Sequence, residues 1–170
     1  MPKPTLNSVL DVQDPMLNDN FDLTFASIPG GGGETRQMTI QCKTATKPGT
    51  SITEVEISLF GHKVLHGAKR EWSTDMSIEF IEDRNGSITR ALEDWAEYIR
   101  GRESQHGAFK ADYAVNGIFT IYDQEGEVAM KYKIRNMWPS QVPDLEFDGE
   151  GGQNVPLSAS FKYDHVERER

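Results

Sequence analysis

Apolar and polar positions alternate along most of this chain, and a period of two predicts strands. Phe21, Leu23 and Phe25 alternate with Asp22, Thr24 and Ala26, which places the apolar side chains on one face of a first strand. Pro29-Gly30-Gly31-Gly32-Gly33 then ends that strand as a hairpin loop, and Met38, Ile40 and Cys42 mark a second strand. Thr44 to Ser51, broken at Pro48-Gly49, reads as a loop. Val55, Ile57 and Leu59 form the inward face of a third strand whose other face carries Glu54, Glu56 and Ser58, and after Gly61 a short segment around Lys63–Leu65 pairs back. The longest strand follows, with Trp72, Thr74, Met76, Ile78 and Phe80 on one face and Ser73, Asp75, Ser77 and Glu79 on the other.

Only one segment has helical period. Ile88, Leu92, Trp95 and Ile99 stack on a single stripe, predicting a helix over 88–100 with Glu93, Asp94 and Glu97 on its opposite side. Ser87 or Thr89 can cap its start, and Gly101 suits a left-handed end. Strands resume after Gly107. Ala114–Tyr122 and Val128–Met137 form a hairpin through Asp123-Gln124-Glu125-Gly126, with Lys131, Lys133 and Arg135 on one face, and Trp138-Pro139 stops it. Leu145 and Phe147 suggest a short strand, Leu157–Tyr163 a last one, and 166–170 a charged tail. Residues 1–19, broken by Pro4 and Pro15, read as an extended arm. The fold class is therefore mainly β, an antiparallel sandwich or barrel over 20–165 with one flanking helix.

Composition narrows the function more than the fold. At 170 residues, 36% hydrophobic and 26% charged, the chain fits one ordinary globular domain. No apolar run of about 18 residues predicts a membrane span, and Met1–Leu10 lacks the pattern of a secretory signal. The single cysteine excludes an intrachain disulfide framework and fits assembly in a reducing cytoplasm. A net charge of −9 argues against tight binding to a phosphate backbone, and the basic face at Lys131, Lys133 and Arg135 is a weak signal against it.

The candidate chemistry is thin. His62 and His66 are four apart, which on a strand separates them by roughly 13 Å, too far to share an ion. Cys42, on an apolar face with no basic neighbour, reads as a buried structural thiol. The Gly30–Gly33 run lacks the spacing of a phosphate-binding loop, and no helix is predicted after it. The acidic pairs Glu82-Asp83 and Glu93-Asp94 read as solvated surface. No hydrolase, metalloprotease or dithiol motif occurs. The expectation is a protein that is not an enzyme, with no catalytic residues, no metal site and no cofactor.

The order of these elements resembles the tail tube proteins of contractile-tailed bacteriophages, related in fold to pyocin and type VI secretion tube proteins. The resemblance covers nearly the whole chain. It rests on Asn20–Phe25 after Asp14-Pro15, on Gln41–Gly49, Glu54–Ile57 and Phe60-Gly61, on Met76–Phe80 with Glu82-Asp83, and on the helix around Leu92 and Trp95. Lys131–Arg135 with Asn136-Met137-Trp138-Pro139, and a final strand ending at Phe161-Lys162-Tyr163, complete it.

The resemblance implies a subunit that forms hexameric rings. The rings stack into a hollow tube, each subunit giving strands to a continuous inner β-barrel, with a contractile sheath outside and DNA passing through the bore without specific binding. It implies as partners further copies of the chain, the sheath protein, and baseplate and terminator proteins, in a virion tail assembled in the host cytoplasm. Glu54, Glu56, Ser58, Ser73, Asp75, Ser77 and Glu79 then become lumen candidates whose like charge would repel DNA. Thr44, Thr46, Lys47, Pro48, Gly49, Gly31 and Gly32 are candidates for contacts between subunits and rings, and Glu93, Asp94 and Glu97 for contact with the sheath. A tube subunit of a phage-derived injection system and a virion-associated β-sandwich binding module stay open as alternatives.

Overall fold

The computed structural model describes residues 15–30, 35–145, 147, 151 and 154–169. Its strands are β1 (Phe21–Phe25), β2 (Cys42–Ala45), β3 (Thr50–Leu59), β4 (His62–Trp72), β5 (Asp75–Ile81), β6 (Val115–Tyr122), β7 (Val128–Gln141), β8 (Pro156–Lys162) and β9 (His165–Glu169). The helices are α1 (Thr35–Ile40), α2 (Ser87–Ile99) and α3 (Lys110–Tyr113). All pairings are antiparallel. One sheet runs β1-β6-β7-β8-β5-β2 with β9 also on β7, and a separate ribbon contains β3 and β4 alone.

β7 organises the domain because it serves two layers. Its first part pairs with β6 and β9, and its end, Trp138–Gln141, pairs with β8. The strand bends where Asn136 takes a left-handed φ of 54° beside a register shift. Asp164 holds this corner, accepting from Lys110 Nζ at 2.6 Å and from Asn136 Nδ2 at 2.8 Å. The result is sandwich-like, an open sheet folded into two layers.

The core lies between the layers and is sealed by α2. Its apolar stripe buries Ile88, Ala91, Leu92 and Trp95. The Trp95 ring meets Phe25 of β1 edge-on at 6.4 Å and Phe161 of β8 at 6.1 Å, so one side chain ties both layers to the helix. Its indole N–H donates to the Tyr113 carbonyl at 2.8 Å, which fixes α3 as well.

Several sequence expectations are corrected. Met38 and Ile40 belong to helix α1, which carries Met38 inward and leaves Ile40 exposed. Three alternating positions are too few to separate the two periods. The Gly30 segment thus joins β1 to a helix and closes no hairpin. The expected long strand is two: β4 ends at Trp72, β5 begins at Asp75, and Ser73 lies in the two-residue link between. The alternation stays in phase across that link, which hides the change of partner. The segment around Lys63–Leu65 is part of the 11-residue strand β4. Val55, Ile57 and Leu59 do not face inward, because the core is complete without the ribbon. Pro139 sits within β7, at the irregular stretch before Gln141, where a missing N–H breaks no regular ladder. Leu145 is outside any strand, and 165–169 form β9.

The ends of α2 also differ. No side chain of Ser87 or Thr89 caps it; Glu82 and Asp83 do. Ser87 N donates to Asp83 Oδ1 at 2.9 Å, and Ile88 N and Thr89 N donate to Glu82 at 3.1 and 2.8 Å. The backbone hydrogen bond from Ser87, followed by that from its hydroxyl, holds the Asp83 carboxyl below its ordinary range. Arg100, in extended conformation, ends the helix before Gly101 is reached.

Candidate functional site

The β3–β4 ribbon stands apart from the core. Among the described residues its strands pair only with each other, from Thr50↔Trp72 to Leu59↔His62, and both faces are exposed along nearly the whole length. Opposed residues share a face. One face carries Val55 opposite His66, Ile57 opposite Val64, and Leu59 opposite His62. The other carries Glu54, Glu56 and Ser58 with Leu65 and Lys63. His62 and His66 therefore sit on an exposed strand. The turn is Phe60-Gly61 with φ of 51° and 79°, the pairing of a mirror-image hairpin turn. Phe60, an aromatic residue held left-handed, is 99% exposed at the tip.

A two-stranded ribbon exposed on both faces is marginal in water by itself. Val55, Ile57, Leu59 and Val64 are 50%, 43%, 63% and 52% exposed, so the apolar row is half open to solvent. Glu56 accepts from Ser58 Oγ at 2.9 Å and pairs with Lys63 at 2.9 Å. The Lys63 contact, with the Ser58 hydroxyl second, holds its carboxyl below the ordinary value.

The second polar surface is the outer face of β5, where Asp75, Ser77 and Glu79 alternate with buried Met76, Ile78 and Phe80. Opposite them on β8 stand Lys162, Ser160 and Ser158. Asp75 is ion-paired to Lys162. Glu79 pairs with Lys43 at 2.7 Å and accepts from Thr44 at 3.4 Å, and the Lys43 hydrogen bond is the chief reason its carboxyl is held low. Ser73 Oγ donates to the Asp75 carbonyl at 3.1 Å. The acidic positions picked out by sequence thus lie on two separate sheets, and three of the four acids are matched by lysines, of which the strand pattern reveals neither Lys43 nor Lys162.

Thr46, Lys47, Pro48 and Gly49 link β2 to the ribbon. Thr46 N donates to the Ser77 carbonyl at 3.2 Å, Lys47 Nζ lies 4.8 Å over the Tyr132 ring, and the Gly49 carbonyl accepts from Ser73 N at 3.2 Å. Gly31 and Gly32 lie outside the described residues. Glu93, Asp94 and Glu97 are exposed on α2, and Glu97 accepts from Arg102 N at 2.9 Å. The expected tail covers the basic row, with Lys131 paired to Glu169 and Arg135 to Glu167, each at 2.8 Å. Cys42 is half-buried, its thiol pushed up to about 12 by burial and then by the Asp22 charge, so it is a poor nucleophile. The Glu82-Asp83 pair, read as solvated surface, is the helix cap; acids just ahead of a helical stripe were the available signal.

Residues 15–168 match the sequence profile of a family described as phage tail tube protein. The tail tube protein of Serratia phage KSP90 is 23% identical over 127 residues, 74% of this chain and 71% of that protein. Among solved structures, the chain resembles the sheath/tube terminator of the extracellular contractile injection system PVC, with a TM-score of 0.67 at 14% identity over 94% of this chain and 99% of the other. It resembles the tube-terminating cap of the anti-feeding prophage, with a TM-score of 0.66 at 15% identity over 93% of each. For the PVC sheath–tube complex the TM-score is 0.65 at 15% identity, over 98% and 99%.

Proposed function

The chain belongs to the phage tail tube protein family, and from that premise we propose that it is the repeating subunit of a hollow tail tube, assembled as stacked hexameric rings inside a contractile sheath, through which the genome leaves the virion. The supporting observation is the β3–β4 ribbon, paired to no other strand among the described residues and open on both faces. The cheapest way to cover its apolar row is another copy, whose strands also close the open edges of the folded sheet. The polar face of Glu54, Glu56 and Ser58 and the outer face of β5, with Ser73 at its start, then line the bore of a continuous inner barrel. The Thr44–Gly49 segment serves subunit and ring contacts, with Gly31 and Gly32 as further candidates, and the Glu93, Asp94 and Glu97 face meets the sheath. Terminator and baseplate proteins close the two ends. The particle is a virion tail built in the host cytoplasm, and the role is structural, not catalytic.

Negative-stain microscopy with sedimentation of the purified chain tests the reading. Rings or tubes of uniform bore are expected as concentration rises; a strict monomer at millimolar concentration would refute it. Reversing charge at Glu93, Asp94 and Glu97 should weaken sheath binding and leave tubes intact. A second reading, a tube subunit of a phage-derived injection particle, draws on the fold likeness to the PVC sheath–tube complex. Packaged DNA in the purified particles separates the two.

A further inference from the structure

At the root of the ribbon, cations gather that no carboxylate among the described residues pairs with. A cleft of about 270 Å³ is lined by Lys47, Arg70 and Arg168 with Trp72 and Tyr132, and no Asp or Glu lines it. Lys47 lies over Tyr132 at 4.8 Å, and Arg70 lies over Trp72 at 5.7 Å. Arg168 is registered opposite Tyr132 across the β7–β9 ladder, and His165 meets Trp72 edge-on at 5.0 Å. Among the described residues, the ion pairs use Lys43, Lys63, Lys110, Lys131, Arg135 and Lys162, and none uses a cation of this cleft. A guanidinium stacked on an aromatic face keeps its edge donors free, in the fork geometry that matches a carboxylate.

We propose that this cleft receives carboxylates from an acidic surface of a neighbouring copy of the chain. The inference rests on the tube reading and assigns part of its subunit contact. Charge complementarity supports it. The chain carries a net −9, and Glu103, Asp112, Glu125 and Glu127, exposed and outside the faces given to bore and sheath, make no ion pair among the described residues. The cleft also continues from Lys47–Gly49 into the root of the apolar ribbon, so one approaching subunit covers both. A nucleic acid fits less well, since three cations in one small cleft form no track for a backbone and the rest of the surface repels phosphate.

The test is charge reversal in the full chain, R70E/R168E, with the neutral variant R70Q/R168Q in case the first does not fold. Unfolding of the variant subunit should match wild type. The critical concentration for assembly should rise at least about tenfold, and the wild type should weaken more steeply than the variant between 0.1 and 0.5 M salt. Wild-type tubes alongside variant tubes formed at the same concentration and with the same salt dependence would overturn the cleft alone and leave the tube reading standing. A wild type that never assembles overturns both. Binding of a 30-nucleotide DNA, lost in the variant, would reassign the cleft to phosphate and overturn the proposal.

Discussion

Replacing Ile57 and Val64 by serine probes the ribbon where it should matter most, because the two are opposed on its apolar face. They are 43% and 52% exposed, so each has about half of its apolar surface still to bury. Full burial of such a side chain contributes about 1.5–3 kcal/mol, so covering the remaining half contributes about 1 kcal/mol each. The double variant should then lose about 2 kcal/mol per subunit contact, which raises the critical concentration for assembly roughly 30-fold. The isolated subunit should hardly notice, since no ribbon residue belongs to the core, and its unfolding free energy should move by less than about 1 kcal/mol. Light scattering against concentration reads the first effect and urea unfolding below the assembly threshold reads the second. An unchanged assembly threshold would remove the row from the interface. A loss of several kcal/mol in the monomer would mean that the ribbon packs on its own domain, and the case for a neighbouring copy would fail.

Phe60→Asn should relieve the left-handed strain of an aromatic residue in the turn, raising amide-exchange protection across β3–β4, while assembly weakens if the exposed ring is an anchor; stronger assembly would show the ring to be dispensable. Trp95→Phe should cost about 2–4 kcal/mol in urea unfolding, from the space left between Phe25 and Phe161 and from the stranded Tyr113 carbonyl. Glu82→Ala leaves the Ile88 and Thr89 N–H groups without their acceptor and should cost about 1–2 kcal/mol, with helicity lost at the start of α2. Asp83, Asp164 and Glu167 are held below their ordinary values of 3.8, 3.8 and 4.5, chiefly by Ser87 N–H, Lys110 and Arg135 respectively. Their stabilisation is therefore complete above that range and lost as pH falls through the lower folded-state values; urea midpoints should hold at pH 6–5 and drop below pH 4, and a flat profile down to pH 2.5 would contradict it.

The legible parts of the fold are those whose own pattern settles their partners. β1 alternates strictly, α2 repeats a four-residue apolar stripe, and the β6–β7 turn carries Asp123, whose carboxylate accepts from Glu125 and Glu127 N–H at 2.9 Å, with Gly126 left-handed at φ 85°. The illegible parts depend on what lies across space. β9 is a run of charges whose strand character comes from Lys131 and Arg135 on β7. The change of partner at Ser73 is invisible because the period continues through it. The apolar row of β3 reads as core because period alone reports that a face is apolar, not which chain covers it. Alternation finds the lumen candidates and the pairing-back segment brings Lys63 beside Glu56, yet Lys43 and Lys162 come from elements that the pattern does not bring beside them.

Those lysines change the electrostatic account of the proposed bore. Glu54, Glu56, Asp75 and Glu79 contribute −4, and their partners Lys43, Lys63 and Lys162 return +3, leaving −1 per subunit with Glu54 unmatched. Repulsion of phosphate by the lining is then far weaker than the acids alone suggest, and salt screens what remains. What keeps such a wall from gripping DNA is that its cations are already engaged. Lys43, Lys63 and Lys162 each hold a carboxylate of their own subunit, and the positions between are serines. Freeing those lysines is then the decisive perturbation. In Glu56→Gln/Asp75→Asn/Glu79→Gln the three lose their partners and become available to phosphate. Assembled tubes of the variant should retain short duplex DNA on a filter at 0.1 M salt and release it at 0.5 M, whereas wild-type tubes should retain none at either. Equal retention by both would place these pairs away from the bore.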